Sequence, residues 1–133
     1  MKTRVVVDTD VFSYIHKSDS RGDWYESYLR GKEIVLSFVT VAELRYWSNC
    51  RNWGDARKRD LEEQIEETFV YHSDDRLCRV WANIRHELSK QGLIIHDADA
   101  SIAATASQCG APLITHNRKD FENILGLEVI SSP

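Results

Sequence analysis

Arg4-Val5-Val6-Val7-Asp8-Thr9-Asp10-Val11 decides how this chain folds. Three consecutive valines leave no polar alternation, so neither face of the strand can look onto water, which is the pattern of a central strand in a parallel sheet covered on both sides. A strand is predicted over Arg4 to Asp8. The carboxylate that ends it then lies at the strand's carboxyl end, where open α/β sheets place their ligand crevice.

Outward from this strand, β-rich runs recur at Ile34 to Ser37, Leu113 to His116 and Leu127 to Ile130, separated by helical patterns. Trp24, Tyr28 and Leu29 give one face of a helix near residues 20–30, and Val41, Leu44, Arg45 and Ser48 mark another running to about Cys50. Leu61, Ile65 and Phe69 recur every four residues, and Leu77, Val80, Trp81, Ile84 and Leu88 follow the 3.6-residue period until Gly92. Asp99 to Cys109 is rich in small residues that allow close approach to a sheet, and Gly110 with Pro112 stops it. The alternation predicts an α/β domain with a mostly parallel sheet.

With 133 residues, 42% of them hydrophobic and 29% charged, the chain can bury one core, so a single domain over 1–133 is expected. The basic start Met1-Lys2-Thr3-Arg4 is followed by only three valines before Asp8, too few for a secretion signal or a membrane span, which points to the cytoplasm. Cys50, Cys78 and Cys109 are odd in number and widely spaced, which suggests buried free thiols rather than a disulfide framework or a zinc site.

Four carboxylates carry the chemistry: Asp8, Glu43, Asp99 and Asp120, each read at or just beyond a strand end and therefore facing one crevice. Two carboxylates about 4 Å apart repel by roughly 4 kcal/mol at an effective dielectric near 20, so a cluster calls for protons or a divalent cation. Oxygen-only ligands suit Mg²⁺ or Mn²⁺ better than zinc, and such a site points to phosphate chemistry. The net charge of −4 argues against a uniformly basic coat for nucleic acid. Arg51, Arg57, Lys58 and Arg59, with Arg45, Arg118 and Lys119, could still receive a nucleic-acid backbone. The competing reading of Arg57 to Arg59 is a solvated helix face paired at i,i+4 with Glu62, Glu63, Glu66 and Glu67.

The Asp8-Thr9-Asp10-Val11 start, the Ser37-Phe38-Val39-Thr40-Val41-Ala42-Glu43-Leu44 segment, the Asp99-Ala100-Ser101-Ile102-Ala103-Ala104 run and Leu113-Ile114-Thr115-His116-Asn117-Arg118-Lys119-Asp120-Phe121 together resemble the PIN domains of VapC-type toxin ribonucleases. The likeness spans essentially the whole chain. It implies a three-layer α/β/α fold, a Mg²⁺-dependent (or Mn²⁺-dependent) endoribonuclease acting on RNA, a VapB-like antitoxin as partner, and a homodimer. Carried over position by position, Asp8, Glu43, Asp99 and Asp120 would be the catalytic and metal-binding acids. Thr9, Thr40, Thr115, Asn117 and Asp97 would support them or position substrate. Such hydrolysis would leave a 5′-phosphate and a 3′-hydroxyl.

Several residues carry a plainer alternative. Thr40 and Glu43 could form a capping box, Asp97 could cap the helix that Asp99 opens, and Asp120 could cap the turn at Phe121. His96 could stand at the rim of the site. Trp24, Tyr25, Tyr28 and Trp47 could line a groove for an antitoxin helix, or simply belong to the core. Asp8-Thr9-Asp10 also fits the nucleophile-and-acid pair of haloacid-dehalogenase-type phosphatases, and a noncatalytic RNA- or partner-binding module is the third reading.

Overall fold

The computed structural model describes residues 2–133. Its frame is a five-stranded parallel sheet ordered β3-β2-β1-β4-β5. The strands are β1 (Arg4–Val7), β2 (Glu33–Ser37), β3 (Phe69–Tyr71), β4 (Leu113–Ile114) and β5 (Val129–Ile130). Six helices surround it: α1 (Thr9–His16), α2 (Asp23–Leu29), α3 (Phe38–Cys50), α4 (Asp55–Glu66), α5 (Asp75–Lys90) and α6 (Asp97–Cys109). Short 3₁₀ turns at Ser20–Gly22 and Arg118–Asp120 complete the architecture. Among the described residues no helix is long and apolar enough to cross a membrane.

The valine triplet does what its pattern demands. Val5, Val6 and Val7 have no exposed surface. Strand alternation sends Val6 into a core built with α5 and α6 residues such as Leu77, Ile84, Ile102 and Ala103, and sends Val5 and Val7 into a second core with Val11, Tyr25, Leu44 and Leu61 from α1 to α4. Helices therefore cover both faces, giving the three layers.

The sequence reading needs correction in places. Phe69 is not the last turn of a helix but the first residue of β3. Thr68 bends the chain there by donating its hydroxyl to the Ile65 carbonyl at 2.7 Å, and the β-branched and aromatic run Thr68 to Tyr71 then favours extended backbone. A helix directly after Asp8 was not foreseen, although α1 fills residues 9–16. Asp99 does not follow a strand, since α5 runs into α6 with none between them. Tyr25, with Leu29, rather than Trp24 forms the buried face of α2: Tyr25 has no exposed surface, while Trp24 is exposed and stacks on Tyr28 with ring centroids 5.0 Å apart. The thiols are free but not buried, Cys50 and Cys78 being exposed and Cys109 half-buried. Glu62 pairs with Arg45 across α3 and α4 at 2.7 Å rather than with a residue one turn before it.

One glycine is fixed by packing. A Cβ on Gly22 would sit 2.9 Å from the backbone nitrogen of Ile15 and from the backbone carbon of Tyr14, where no flexible side chain can yield. Gly22→Ala should therefore push the 3₁₀ turn off α1 and lower stability by about 1–3 kcal/mol, the usual cost of overpacking. A urea melt that shows no loss would mean that α1 is not docked as described.

Candidate active site

Asp8 leaves the carboxyl end of β1 and starts α1 as its N-cap, with Oδ1 accepting the Thr9 N–H at 2.7 Å. Its other oxygen, Oδ2, accepts the Thr115 hydroxyl at 2.6 Å from the end of β4. Thr115 in turn accepts the Asn117 N–H at 3.0 Å, and the Asn117 amide donates to Asp10. The parallel pairing of Val7 with Ile114 is what brings these distant segments side by side.

Glu43 lies on the second turn of α3. Ser37 caps that helix through the Val39 N–H, so Thr40 and Glu43 are not its capping box. Thr40 and Thr9 instead share a 2.9 Å hydroxyl contact, and Thr9 donates onward to Glu43 Oε1 at 2.8 Å. This relay ties α3 to α1 and fixes the glutamate's direction. Three of the predicted supporting residues, Thr9, Thr40 and Thr115, are buried in this network.

Asp99 sits half-buried in the first turn of α6 and feels the charges of Asp120, Glu43 and Asp10, while Asp8 feels those of Asp10 and Asp99. Asp99 thus lies within charge range of each of the other predicted acids, Asp8, Glu43 and Asp120. Asp120 belongs to the exposed 3₁₀ turn and caps nothing with its side chain. His96, Asp99, Lys119 and Asp120 line a cleft of about 180 Å³, which puts His96 at the rim. Asp97 is not brought in: it lies one residue after the N-cap position, which His96 holds, and its carboxylate pairs with Arg85.

Burial pushes the Asp8 carboxyl up to about 7, with Asp10 and Asp99 adding repulsion and the Thr115 and Thr9 hydrogen bonds opposing. Burial likewise raises Asp99 to about 6, helped by Asp120, Glu43 and Asp10 and opposed by His96. The dominant cause is desolvation, with crowding second, the reverse of the emphasis drawn from sequence. Among the described residues none of Asp8, Asp10, Glu43, Asp99 and Asp120 enters an ion pair with a lysine, arginine or histidine. The donors are all oxygens and their charge is uncompensated, which fits a hard divalent cation. No three Asp, Glu, His or Cys side chains among the described residues close into a cage around one ion. Carboxylates that stop short of a cage suit a cation that keeps several waters and takes oxygens from substrate.

What sequence did not show is that Asn117 holds Asp10 and that Asp8 caps α1. The signal for the second was present, because an Asp directly before a helical run is an N-cap candidate.

Both raised pKa values set a direction for stability. A carboxyl with a folded-state pKa above its unfolded one contributes stability that is complete below the unfolded pKa, near 3.8, and lost as pH rises through about 6 to 7. Metal-free protein should therefore lose stability between pH 4 and pH 7, and Asp8→Asn, which keeps the cap, should flatten that decline and melt higher than wild type at pH 7 in chelator. Mg²⁺ at about ten times its dissociation constant should add roughly 1.4 kcal/mol to wild type and little to the variant. A thermal melt of Asp8→Asn that falls below wild type in chelator would refute a shared, charge-strained site.

The geometry agrees with three comparisons. The PIN domain family model matches residues 5–126. Among characterised relatives, Ribonuclease VapC1 of Haemophilus influenzae strain R2866 is 29% identical over 125 residues, covering 92% of this chain and 93% of the relative. Ribonuclease VapC2 of the Rd strain is 26% identical over 124 residues, covering 93% and 94%. Of solved structures, VapBC-1 from nontypeable Haemophilus influenzae superposes with a TM-score of 0.82 at 27% identity over 97% of this chain and 98% of that one. VapBC2 from Rickettsia felis, bound to a DNA fragment from the promoter, gives 0.86 at 22% identity over 98% and 100%, a likeness of fold. A match from the central strand through the turn that follows Asp120 covers every segment of the crevice, and the chain belongs to the PIN domain family.

Proposed function

We propose that this protein is a divalent-metal-dependent endoribonuclease and the toxin of a toxin–antitoxin pair, with Mg²⁺ or Mn²⁺ as its cation. The observation that carries the reading is the set of acids, free of ion pairs among the described residues, that four separate segments bring within charge range of Asp99 beyond the carboxyl end of the central strand. The relatives named ribonuclease and the VapBC complexes support the activity and a VapB-like antitoxin partner. A homodimer is part of the same proposal.

Asp8 and Asp99, with Glu43 and Asp120 directly or through water, would hold the cation. When bound, it supplies positive charge against the phosphodiester oxygens and acidifies the attacking water. The chain's own contribution is orientation. Thr9 N–H and the Thr115 hydroxyl each engage one oxygen of Asp8, so its carboxylate plane is set before any ligand arrives. Thr9 sets Glu43, and Asn117 sets Asp10. Preorganised groups of this kind need little rearrangement as charge develops in the transition state. Arg118 and Lys119, exposed beside Asp120, offer cations to the flanking phosphates.

The PIN domain match over residues 5–126 weighs against the phosphatase reading, which leaves Glu43 and Asn117 without a role. For the partner, the exposed Trp24 stacked on the half-buried Tyr28 forms an aromatic surface that an antitoxin helix could cover, whereas Tyr25 is removed from it by burial.

Asp8→Asn and Asp99→Asn should each abolish RNA cleavage and relieve growth inhibition in a folded protein, and wild type should release 5′-phosphate ends. Asp10→Asn should retain partial activity, because Asn117 still finds an acceptor there. End-labelled RNA and circular dichroism of the variants check all three; full activity of Asp99→Asn would remove that residue from the site.

A further inference from the structure

The acids explain how a phosphodiester is cut but not how a chain of net charge −4 holds a polyanion against them. α1 starts at the crevice with Thr9 and Asp10 and leads away to His16 and its C-cap Lys17, about 12 Å at 1.5 Å per residue. Along that path cations lie on aromatic faces. The Arg21 guanidinium is 4.1 Å from the Tyr14 ring centroid, and the same ring meets His116, neighbour of Asn117, edge-on at 5.6 Å. At the far end Trp53 stacks on His16 at 5.2 Å and carries the Arg57 guanidinium at 3.7 Å. Arg51, in the same α3–α4 turn, lies 5.3 Å from the Trp47 ring.

Lys17 joins these groups. Its ammonium is held below the usual lysine range by burial first and then by Arg51, Arg57 and Arg21, with Asp19 opposing, so the three guanidinium groups lie within charge range of it. Asp19 engages Arg21 at 2.8 Å, and Asp60 lies 3.7 Å from His16 Nδ1. Lys17, Arg51 and Arg57 enter no ion pair among the described residues. Such repulsion gains nothing for folding. The rings are already engaged, Trp53 by His16 and Arg57 and Tyr14 by Arg21 and His116, so they brace guanidinium groups rather than stand open to bases.

We propose that Tyr14, Lys17, Arg21, Arg51, Trp53 and Arg57 form a phosphate track that binds the RNA backbone flanking the scissile bond, from the crevice along α1 to the α3–α4 turn. It rests on the ribonuclease reading for its ligand and adds where the flanking strand lies. Because braced cations meet phosphates and no free ring meets a base, the track is indifferent to sequence. RNA is favoured over an acidic protein segment because the track begins at the catalytic crevice, beside Asp10 and Asn117.

The test uses a fluorescent single-stranded oligoribonucleotide of mixed sequence, read by anisotropy across a salt series, with Asp8→Asn present in every chain to prevent cleavage. Adding Lys17→Ala, Arg51→Ala and Arg57→Ala should weaken binding at least tenfold at low salt. It should also make the slope of log affinity against log salt shallower by about 2, at roughly 0.7 per lost phosphate contact on single strands. In the otherwise wild-type chain, the triple variant should raise KM for long RNA with kcat held, and leave cleavage of a dinucleotide unchanged. The charge-keeping triple Lys17→Arg, Arg51→Lys and Arg57→Lys should preserve the slope. Unchanged affinity and slope in the alanine triple would overturn the track, as would equal loss in the charge-keeping triple at an unchanged melting temperature. Intact RNA binding with lost binding of an acidic peptide would assign the face to a protein partner instead. If wild type cleaves no RNA while the alanine triple still weakens RNA binding, the nuclease reading fails and the track survives; cleavage by wild type with no effect of the triple is failure of the track alone.

Discussion

One buried carboxylate organises this molecule. Asp8 is 5% exposed, at the end of a strand whose three valines have no exposed surface, and it is held there by two hydrogen bonds from separate segments: the first N–H of α1 and the Thr115 hydroxyl of the β4 end. Each bond belongs to a different scale of structure. The Thr9 bond is local and starts a helix, as an aspartate N-cap does. The Thr115 bond closes over 107 residues and exists only because β1 and β4 pair in parallel. Burying a carboxylate is costly, and these two donors offset part of that cost while leaving its charge uncompensated. A residue selected only for stability would be an asparagine or a serine at this cap. The retained acid is the clearest physical sign that the site exists for a ligand of positive charge.

The rest of the fold delivers partners to that carboxylate. Val6 and its neighbours anchor β1 between two cores, so the strand cannot slide by one residue without exchanging the two faces. Register then fixes where β2 ends and α3 begins, and the Thr40–Thr9–Glu43 chain of hydroxyls converts that helix position into a direction for Glu43. Asp99 arrives differently. It comes on a helix rich in small residues, whose Ala100, Ala103, Ala104 and Ala106 are fully buried, so its placement depends on close packing against the sheet rather than on a strand end.

What could be read in the sequence follows from which interactions are local. The central strand, the α5 stripe of Leu77, Ile84 and Leu88, and the stop at Gly110 were legible because each is a periodicity or a backbone constraint within one segment. The four acids were read as a set from supposed strand ends as well as from the resemblance, and the strand-end argument fails for Asp99, whose helix follows no strand. Phe69 was misread because two periods competed over it, the four-residue recurrence of α4 and the β-branched run after it, and a single threonine hydroxyl decided between them. Asp97 was read as a supporting residue of the site, with a helix cap as its alternative, because sequence could not show Arg85 reaching it from α5. The aromatic residues were the least legible: Trp24 and Tyr25 are adjacent, yet one is exposed and the other wholly buried, with its hydroxyl 2.8 Å from His116.

A last consequence concerns charge. The acids that favour a cation repel the phosphates that must approach it, and at net −4 the whole surface adds to that repulsion. Screening confines such fields to about 8–10 Å at ordinary salt, so at the far end of α1, about 12 Å from the crevice, a phosphate meets cations while largely screened from the acids. That end is where Lys17, Arg51 and Arg57 stand, with no ion pair among the described residues. The opposed fields are thus joined by one helix: its N-terminal end fixes Asp8 and Asp10, and its C-terminal end carries Lys17 and packs His16 onto Trp53. A change at either end is transmitted through eight residues of regular backbone, which makes α1 the structural link between cutting and holding.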